Sequence, residues 1–183
     1  GHGRFMFGFE ESYGYLAGTF VRDKDAAMSA MLMAECACWY AEKGMTIYDA
    51  LMSLYDKYGY YVEKVISITL AGMEGIAKIS GAVSELRENV PRKIGEYDVV
   101  AVTDLMKGKR HDMRTREDEK VDLPQANVLI FELDGAKLIL RPSGTEPKLK
   151  AYCFTKGANK KDADEKLGKL VDTAMNTMKE LTK

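Results

Sequence analysis

Histidine is nearly missing from this sequence of 183 residues: only His2 and His111 occur. Two imidazoles do not make a zinc constellation, and the three cysteines, Cys36, Cys38 and Cys153, include no Cys-x-x-Cys pair. Their odd number excludes a closed disulfide framework, so they are expected to be small buried hydrophobes in a reducing compartment. Neither sign of charge dominates. Lys and Arg total 27 against 28 Asp and Glu, a net charge of −1, which makes nucleic acid and anionic membrane poor partners. Long apolar runs are also lacking. The longest, Ala26 to Ala41, is interrupted by Ser29 and Glu35 and is shorter than the roughly 20 residues that span a bilayer. No signal-peptide pattern opens the chain, and a cytoplasmic protein with no membrane partner is expected. Gly1-His2-Gly3 has no initiating Met and reads as an added start.

What is present is enough apolar material, 46% of residues, for one full core and part of another. Arg4 to Phe9 is a strand candidate without an evident partner, which predicts that sequence precedes it. Asp23 is placed to cap a helix running to about Lys43 and stopped by Gly44. Its apolar residues wrap most of the circumference, so it asks for burial on more than one side. A second helix starts at Thr46 and ends near Tyr58-Gly59. The pattern then turns β-rich, which places a boundary there: residues 1–58 form a partial α/β domain and residues 59–183 an α+β domain.

In the second domain, strands are expected at 60–70, 97–103, 127–133, 136–140 and 148–155, with helices at 73–89 and 160–181. Asp134-Gly135 marks a hairpin turn. The charge-dense stretch 107–122 reads as a solvated loop. The order β-α-β-β-β-β-α predicts two helices on one face of a mainly antiparallel sheet.

Two segments carry chemistry. Arg141-Pro142-Ser143-Gly144-Thr145-Glu146-Pro147-Lys148 lies between two strands and holds two cations, two hydroxyls, a glycine able to take positive φ and two stiffening prolines. Arg141 offers a planar fork for phosphate oxygens, and the backbone around Gly144 could form an anion nest. An ordinary polar hairpin uses the same residue types. The bracketing prolines favour a preformed site, because rigidity reduces the entropy lost on binding. The second segment, Phe9-Glu10-Glu11-Ser12-Tyr13-Gly14-Tyr15, sets carboxylates beside a hydroxyl, a combination suited to sugar hydroxyls but also to a solvated acidic turn. Arg22 and Lys24 follow at a helix start, where anions are favoured and where surface charges around a cap are also common.

The segment 141–148 resembles the phosphate-binding loop of the α-D-phosphohexomutases, the phosphoglucomutase and phosphomannomutase superfamily. Phe7 to Tyr15 resembles that family's sugar-binding loop, and Arg22 to Asp25 fits directly after it. Both motifs stand in the family's order and span nearly the whole chain. The Glu-Glu-Ser-Tyr-Gly-Tyr form is most like the bacterial phosphoglucomutase branch. Shorter members carry Gly-Glu-x-Ser-Gly-His, whose His is absent here and where Tyr13 is an extra residue.

The resemblance implies a parent enzyme of four domains. This chain resembles the end of the third, sugar-binding domain and all of the fourth, phosphate-binding domain, whose fold is TATA-binding-protein-like. The phosphoserine segment and the aspartate loop for Mg²⁺ occur nowhere in the sequence. The chain is therefore expected to be a C-terminal portion without turnover of its own, holding no catalytic residue, no metal and no cofactor. By the same resemblance Arg141, Ser143, Gly144, Thr145 and Lys148 bind substrate phosphate, assisted by Arg22 and Lys24. Glu10, Glu11 and Ser12 bind the sugar. Expected partners are a hexose phosphate, a hexose bisphosphate and the remaining N-terminal domains of the same polypeptide. The glucose 1-phosphate to glucose 6-phosphate interconversion stands first, and a non-catalytic anion-binding or regulatory module is the alternative. An exposed apolar helix and strand edge invite self-association of the piece.

Overall fold

A computed structural model describes residues 3–10 and 13–182, apart from the side chain of Met73. Two compact units result, 1–58 and 59–183. Each is described by itself.

In the first unit, β1 (Gly8–Glu10) pairs antiparallel with β2 (Gly14–Leu16). The opening strand therefore has a local partner, Gly14–Leu16. Helix α1 (Ala26–Ala41) is capped by Asp25, whose side chain accepts from the Met28 N–H at 3.0 Å. Asp23 does not cap it; its carboxylate is engaged by the Lys24 N–H at 2.8 Å. Gly44 ends the helical segment at φ 69°. Thr46 and Asp49 form a reciprocal cap before α2 (Ile47–Tyr58): Thr46 Oγ1 accepts from the Asp49 N–H, and Asp49 Oδ2 accepts from the Thr46 N–H. None of the α1 residues is buried. Cys36 is half-buried and Cys38 exposed, contrary to the sequence expectation, because no packed core forms around this helix in the unit.

The second unit is an α+β layer. Its strands are β3 (Tyr60–Thr69), β4 (Lys93–Ile94), β5 (Tyr97–Asp104), β6 (Lys109–Asp112), β7 (Asp118–Lys120), β8 (Leu129–Leu133), β9 (Ala136–Pro142) and β10 (Lys148–Gly157). The sheet runs β3-β10-β9-β8-β5-β6-β7, antiparallel throughout, with β4 against β5. Strands β8 and β9 join through Asp134-Gly135, with Gly135 at φ 77°. Alternation along β8 to β10 buries Leu129, Phe131, Leu133, Leu138, Leu140, Leu149, Ala151 and Cys153. These pack with Ile79, Val83 and Leu86 of α3 (Gly72–Glu88) and Leu170, Ala174 and Met178 of α4 (Lys160–Leu181), so both helices cover the same face. Gly157 lets α4 approach: a Cβ there would run into the backbone of Ala163. Burial pushes the Cys153 thiol up to about 11, which leaves it inert at neutral pH.

Residues 107–122 depart from the expected solvated loop. They form the β6–β7 hairpin, held by charge rather than apolar alternation. Arg110 makes a two-pronged contact with Glu132 of β8, at 2.9 and 2.8 Å. Those hydrogen bonds hold the Glu132 carboxyl below the usual range. A depressed carboxylate contributes stability above its ordinary pKa, and the contribution is lost as pH falls through the lower folded value. The urea midpoint of the chain is expected to drop between about pH 5 and pH 3, across and below the ordinary glutamate range. Glu132→Gln is expected to make that drop smaller; an identical drop would remove the pair from the account.

Candidate functional site

The 141–148 segment closes the turn between β9 and β10, and hydrogen bonds shape it from within. The Ser143 N–H donates to the Lys148 carbonyl at 2.8 Å, and the Lys148 N–H donates to the Glu146 carbonyl at 2.7 Å. Ser143 Oγ accepts from the N–H groups of Thr145 (3.4 Å) and Glu146 (3.2 Å). Those two donors converge on one point, which the serine oxygen occupies. Gly144 does not use the positive φ foreseen for it, since its backbone lies outside the left-handed region. Nothing lies within 4 Å of where its Cβ would stand, so the loop faces open space there.

Register explains where the cations stand. Leu138 and Leu140 face the core, so Arg141 belongs to the opposite face of β9, away from the helices. Arg141 is directly opposite Lys150 of β10, and Lys150 is opposite Ser67 of β3. Lys148 is two residues from Lys150 and shares its face. Among the described residues none of these three cations is in an ion pair, whereas Arg87 and Arg110 each have a carboxylate at 3.0 and 2.8 Å. Like charges set opposite each other across strands are destabilising. Lys150 and Ser67 were not among the residues singled out from the sequence. The signal for Lys150 was available, because a strand period of two sets Lys148 and Lys150 on one face.

In the first unit a cleft of about 240 Å³ gathers Glu10, Arg22, Asp23 and Lys24 with the aromatic Phe9 and Tyr15. Lys24 Nζ is 3.5 Å from Glu10 and 3.0 Å from Asp23. Asp23, and less strongly Glu10, raise the Lys24 pKa, so it stays a cation. The Asp25 N–H donates to the Tyr15 carbonyl at 2.9 Å and ties the hairpin to the helix start. Gly14 is needed here, since a Cβ would collide with the Lys24 side chain and come 2.8 Å from a Glu10 oxygen. Tyr13 takes a left-handed φ of 66° at the hairpin tip, a conformation that costs a non-glycine residue about 1–2 kcal/mol. Glu11 and Ser12, read as sugar ligands, lie outside the described residues.

Among the described residues no group of three or more His, Cys, Asp or Glu side chains could hold a metal ion, so those present do not fit a magnesium centre. Among them, too, no helix is long and apolar enough to cross a membrane.

The family described as phosphoglucomutase/phosphomannomutase, alpha/beta/alpha domain III, matches residues 1–58. The phosphoglucomutase of Staphylococcus haemolyticus is 41% identical over 148 residues, which is 81% of this chain and 27% of that protein. The phosphoglucomutase of Staphylococcus aureus strain RF122 is 35% identical over 170 residues, 93% of this chain and 31% of that protein. Among solved structures, the open form of pp63/parafusin (phosphoglucomutase) from Paramecium superposes with a TM-score of 0.53 at 14% identity, covering 94% of this chain and 29% of that one. That likeness concerns the fold. The chain thus spans less than a third of the length of these relatives. Residues 1–58 thus match a domain of the phosphoglucomutase/phosphomannomutase family, and 81–93% of the chain is similar in sequence to bacterial phosphoglucomutases.

Proposed function

We propose that this chain is the substrate-holding part of a phosphohexomutase, with sugar-binding domain 3 represented by residues 1–58 and phosphate-binding domain 4 by residues 59–183. In that role Arg141, Ser143, Gly144, Thr145 and Lys148 clamp the phosphate that is not being transferred. Lys150 joins them from the same sheet face. Glu10, Glu11 and Ser12 take ring hydroxyls, with Arg22 and Lys24 assisting at phosphate. The observation that carries the reading is the loop itself. Two backbone N–H groups hold Ser143 Oγ in place beside three cations that lack acidic partners among the described residues, and a phosphate supplies the missing charge.

The chemistry left to such a part is binding and orientation, which is most of what a protein supplies in phosphoryl transfer. Each charge-assisted hydrogen bond to a desolvated phosphate oxygen contributes about 1.5–3 kcal/mol. The phosphoserine that exchanges phosphoryl groups and the Mg²⁺ that assists it belong to other domains of the same polypeptide. Those domains would also cover exposed apolar side chains such as Met31, Met33 and Trp39 of α1. Glucose 1-phosphate and glucose 6-phosphate are the substrates this reading puts first, with a hexose bisphosphate between them.

A titration of the chain with glucose 6-phosphate, followed by amide NMR, tests the reading. Saturable shifts are expected at residues 143–148, with glucose alone leaving those amides unmoved. No shift at 143–148, or shifts reproduced by sodium chloride at equal ionic strength, would overturn it.

A further inference from the structure

The register of the second unit sets the 141–148 turn at one end of the sheet, beyond Leu140, Leu129 and Asp104. At the other end the β6–β7 turn stands beside the beginning of β5. A cleft of about 590 Å³ opens there, and Arg92, His111, Arg114 and Arg116 line it with a single acid, Asp98. Asp98 already has a cation of its own, Lys93, at 3.3 Å. His111 Nδ1 is fixed against Asp118 at 2.9 Å. None of the three arginines is in an ion pair among the described residues, in contrast to Arg87 and Arg110.

The turn that presents two of them is closely tied down. Asp112 Oδ1 accepts from the N–H groups of Arg114 (2.8 Å) and Thr115 (3.0 Å). The Arg116 N–H donates to the Asp112 carbonyl at 2.9 Å, and the Asp112 N–H donates to the Glu117 carbonyl at 3.0 Å. Arg116 sits at φ 63°, a region that non-glycine residues rarely occupy. On the facing strand a register shift between Val99 and Ala101 makes Val100 a bulge, and its carbonyl accepts from the Met113 N–H at 2.9 Å. Bulges of this kind re-aim strands next to functional sites. Here the bulge locks the arginine-bearing turn to the cleft wall.

We propose that this cleft is a second anion site, separate from the 141–148 loop, for a small molecule bearing a diphosphate or two phosphate groups. Three guanidinium groups supply planar donor forks that match phosphate oxygens in pairs. Asp98 alone among the lining residues is an acid and Asp112 stands by Arg114, so the three guanidinium groups outnumber the carboxylates near them, and a multiply charged anion offsets the excess positive charge. The volume falls in the range of small-molecule sites, and Val99 and Met113 give the uncharged part of such a ligand an apolar wall. The proposal is independent of the mutase reading.

Inorganic pyrophosphate is the probe, titrated into the full 183-residue chain and followed by amide NMR at constant ionic strength. Saturable shifts are expected at Val100, Met113, Arg114 and Arg116. The Arg114→Ala/Arg116→Ala double variant is expected to weaken that binding at least tenfold, and Arg141→Ala to leave it unchanged. Arg92→Gln, on a different segment, is expected to weaken it several-fold and decides the matter if the double variant does not fold. Shifts that do not saturate, that sodium chloride reproduces, or that persist at equal affinity in the variants would overturn the proposal. Shifts at this cleft that vanish in Arg141→Ala would also overturn it, since they would arise from the other loop.

Discussion

Phe131→Ala is expected to destabilise the second unit by about 3–5 kcal/mol, the range for deleting a buried ring and leaving a cavity. Phe131 is fully buried at the centre of β8, among leucines of β8 and β9 and under both helices. Its neighbour Ile130 points the other way and is only half-buried. Ile130→Ala is therefore expected to cost about 1 kcal/mol, near the average for point substitutions. Urea unfolding followed by circular dichroism reads the difference; Trp39 fluorescence reports the first unit and is unsuited. Domains are stable by only about 5–15 kcal/mol, so the Phe131 variant should be visibly closer to unfolding at room temperature. Equal losses at 130 and 131 would mean that the sheet is not one-faced, and the assignment of Arg141 to the helix-free face would fall with it.

That face assignment was legible because several signals agree along β8 to β10. Apolar residues alternate with polar ones, Asp134-Gly135 supplies the turn, and the α4 stripe of Ala163, Leu170, Ala174 and Met178 recurs at helical spacing. Where burial comes from charge, alternation gives no warning. The two strands of the β6–β7 hairpin are all polar and are held by Arg110 against Glu132, a partner 22 residues away, so the segment looked like a loop. Asp23 and Asp25 are equivalent as cap candidates on composition. Only the hairpin's hold on Asp25 through the Tyr15 carbonyl selects between them. Gly144 does not take the left-handed backbone foreseen for it, for a related reason. A glycine permits a left-handed backbone, but the Ser143 hydroxyl satisfies the loop's N–H groups without one. The arginines gathered at 92, 114 and 116 could not be read from the sequence, since only the turn and the bulge of β5 bring them together.

Removing a cation from the 141–148 site should move stability and binding in opposite directions. Arg141 and Lys150 face each other across β9 and β10, and relieving a like-charge pair at that spacing is worth about 0.2–1 kcal/mol. Arg141→Ala and Lys150→Ala are therefore expected to raise the urea midpoint of the ligand-free chain slightly. Both should also weaken glucose 6-phosphate binding read at the Gly144 and Thr145 amides. Losing one charge-assisted contact of about 1.5–3 kcal/mol corresponds to about 10- to 150-fold for Arg141. Lys150, which stands opposite Arg141 but outside the 141–148 turn, should lose less. Arg141→Lys should restore the charge but not the two-pronged geometry, and so recover only part of the affinity. In an intact mutase carrying this segment, the Arg141→Ala loss should appear as a raised KM and a kcat/KM lowered by a few kcal/mol at most. A surface arginine with a purely structural role would lower stability on removal and leave binding alone. Opposite signs in the two measurements are what an anion site requires, because charges that repel without ligand are the ones a phosphate holds together.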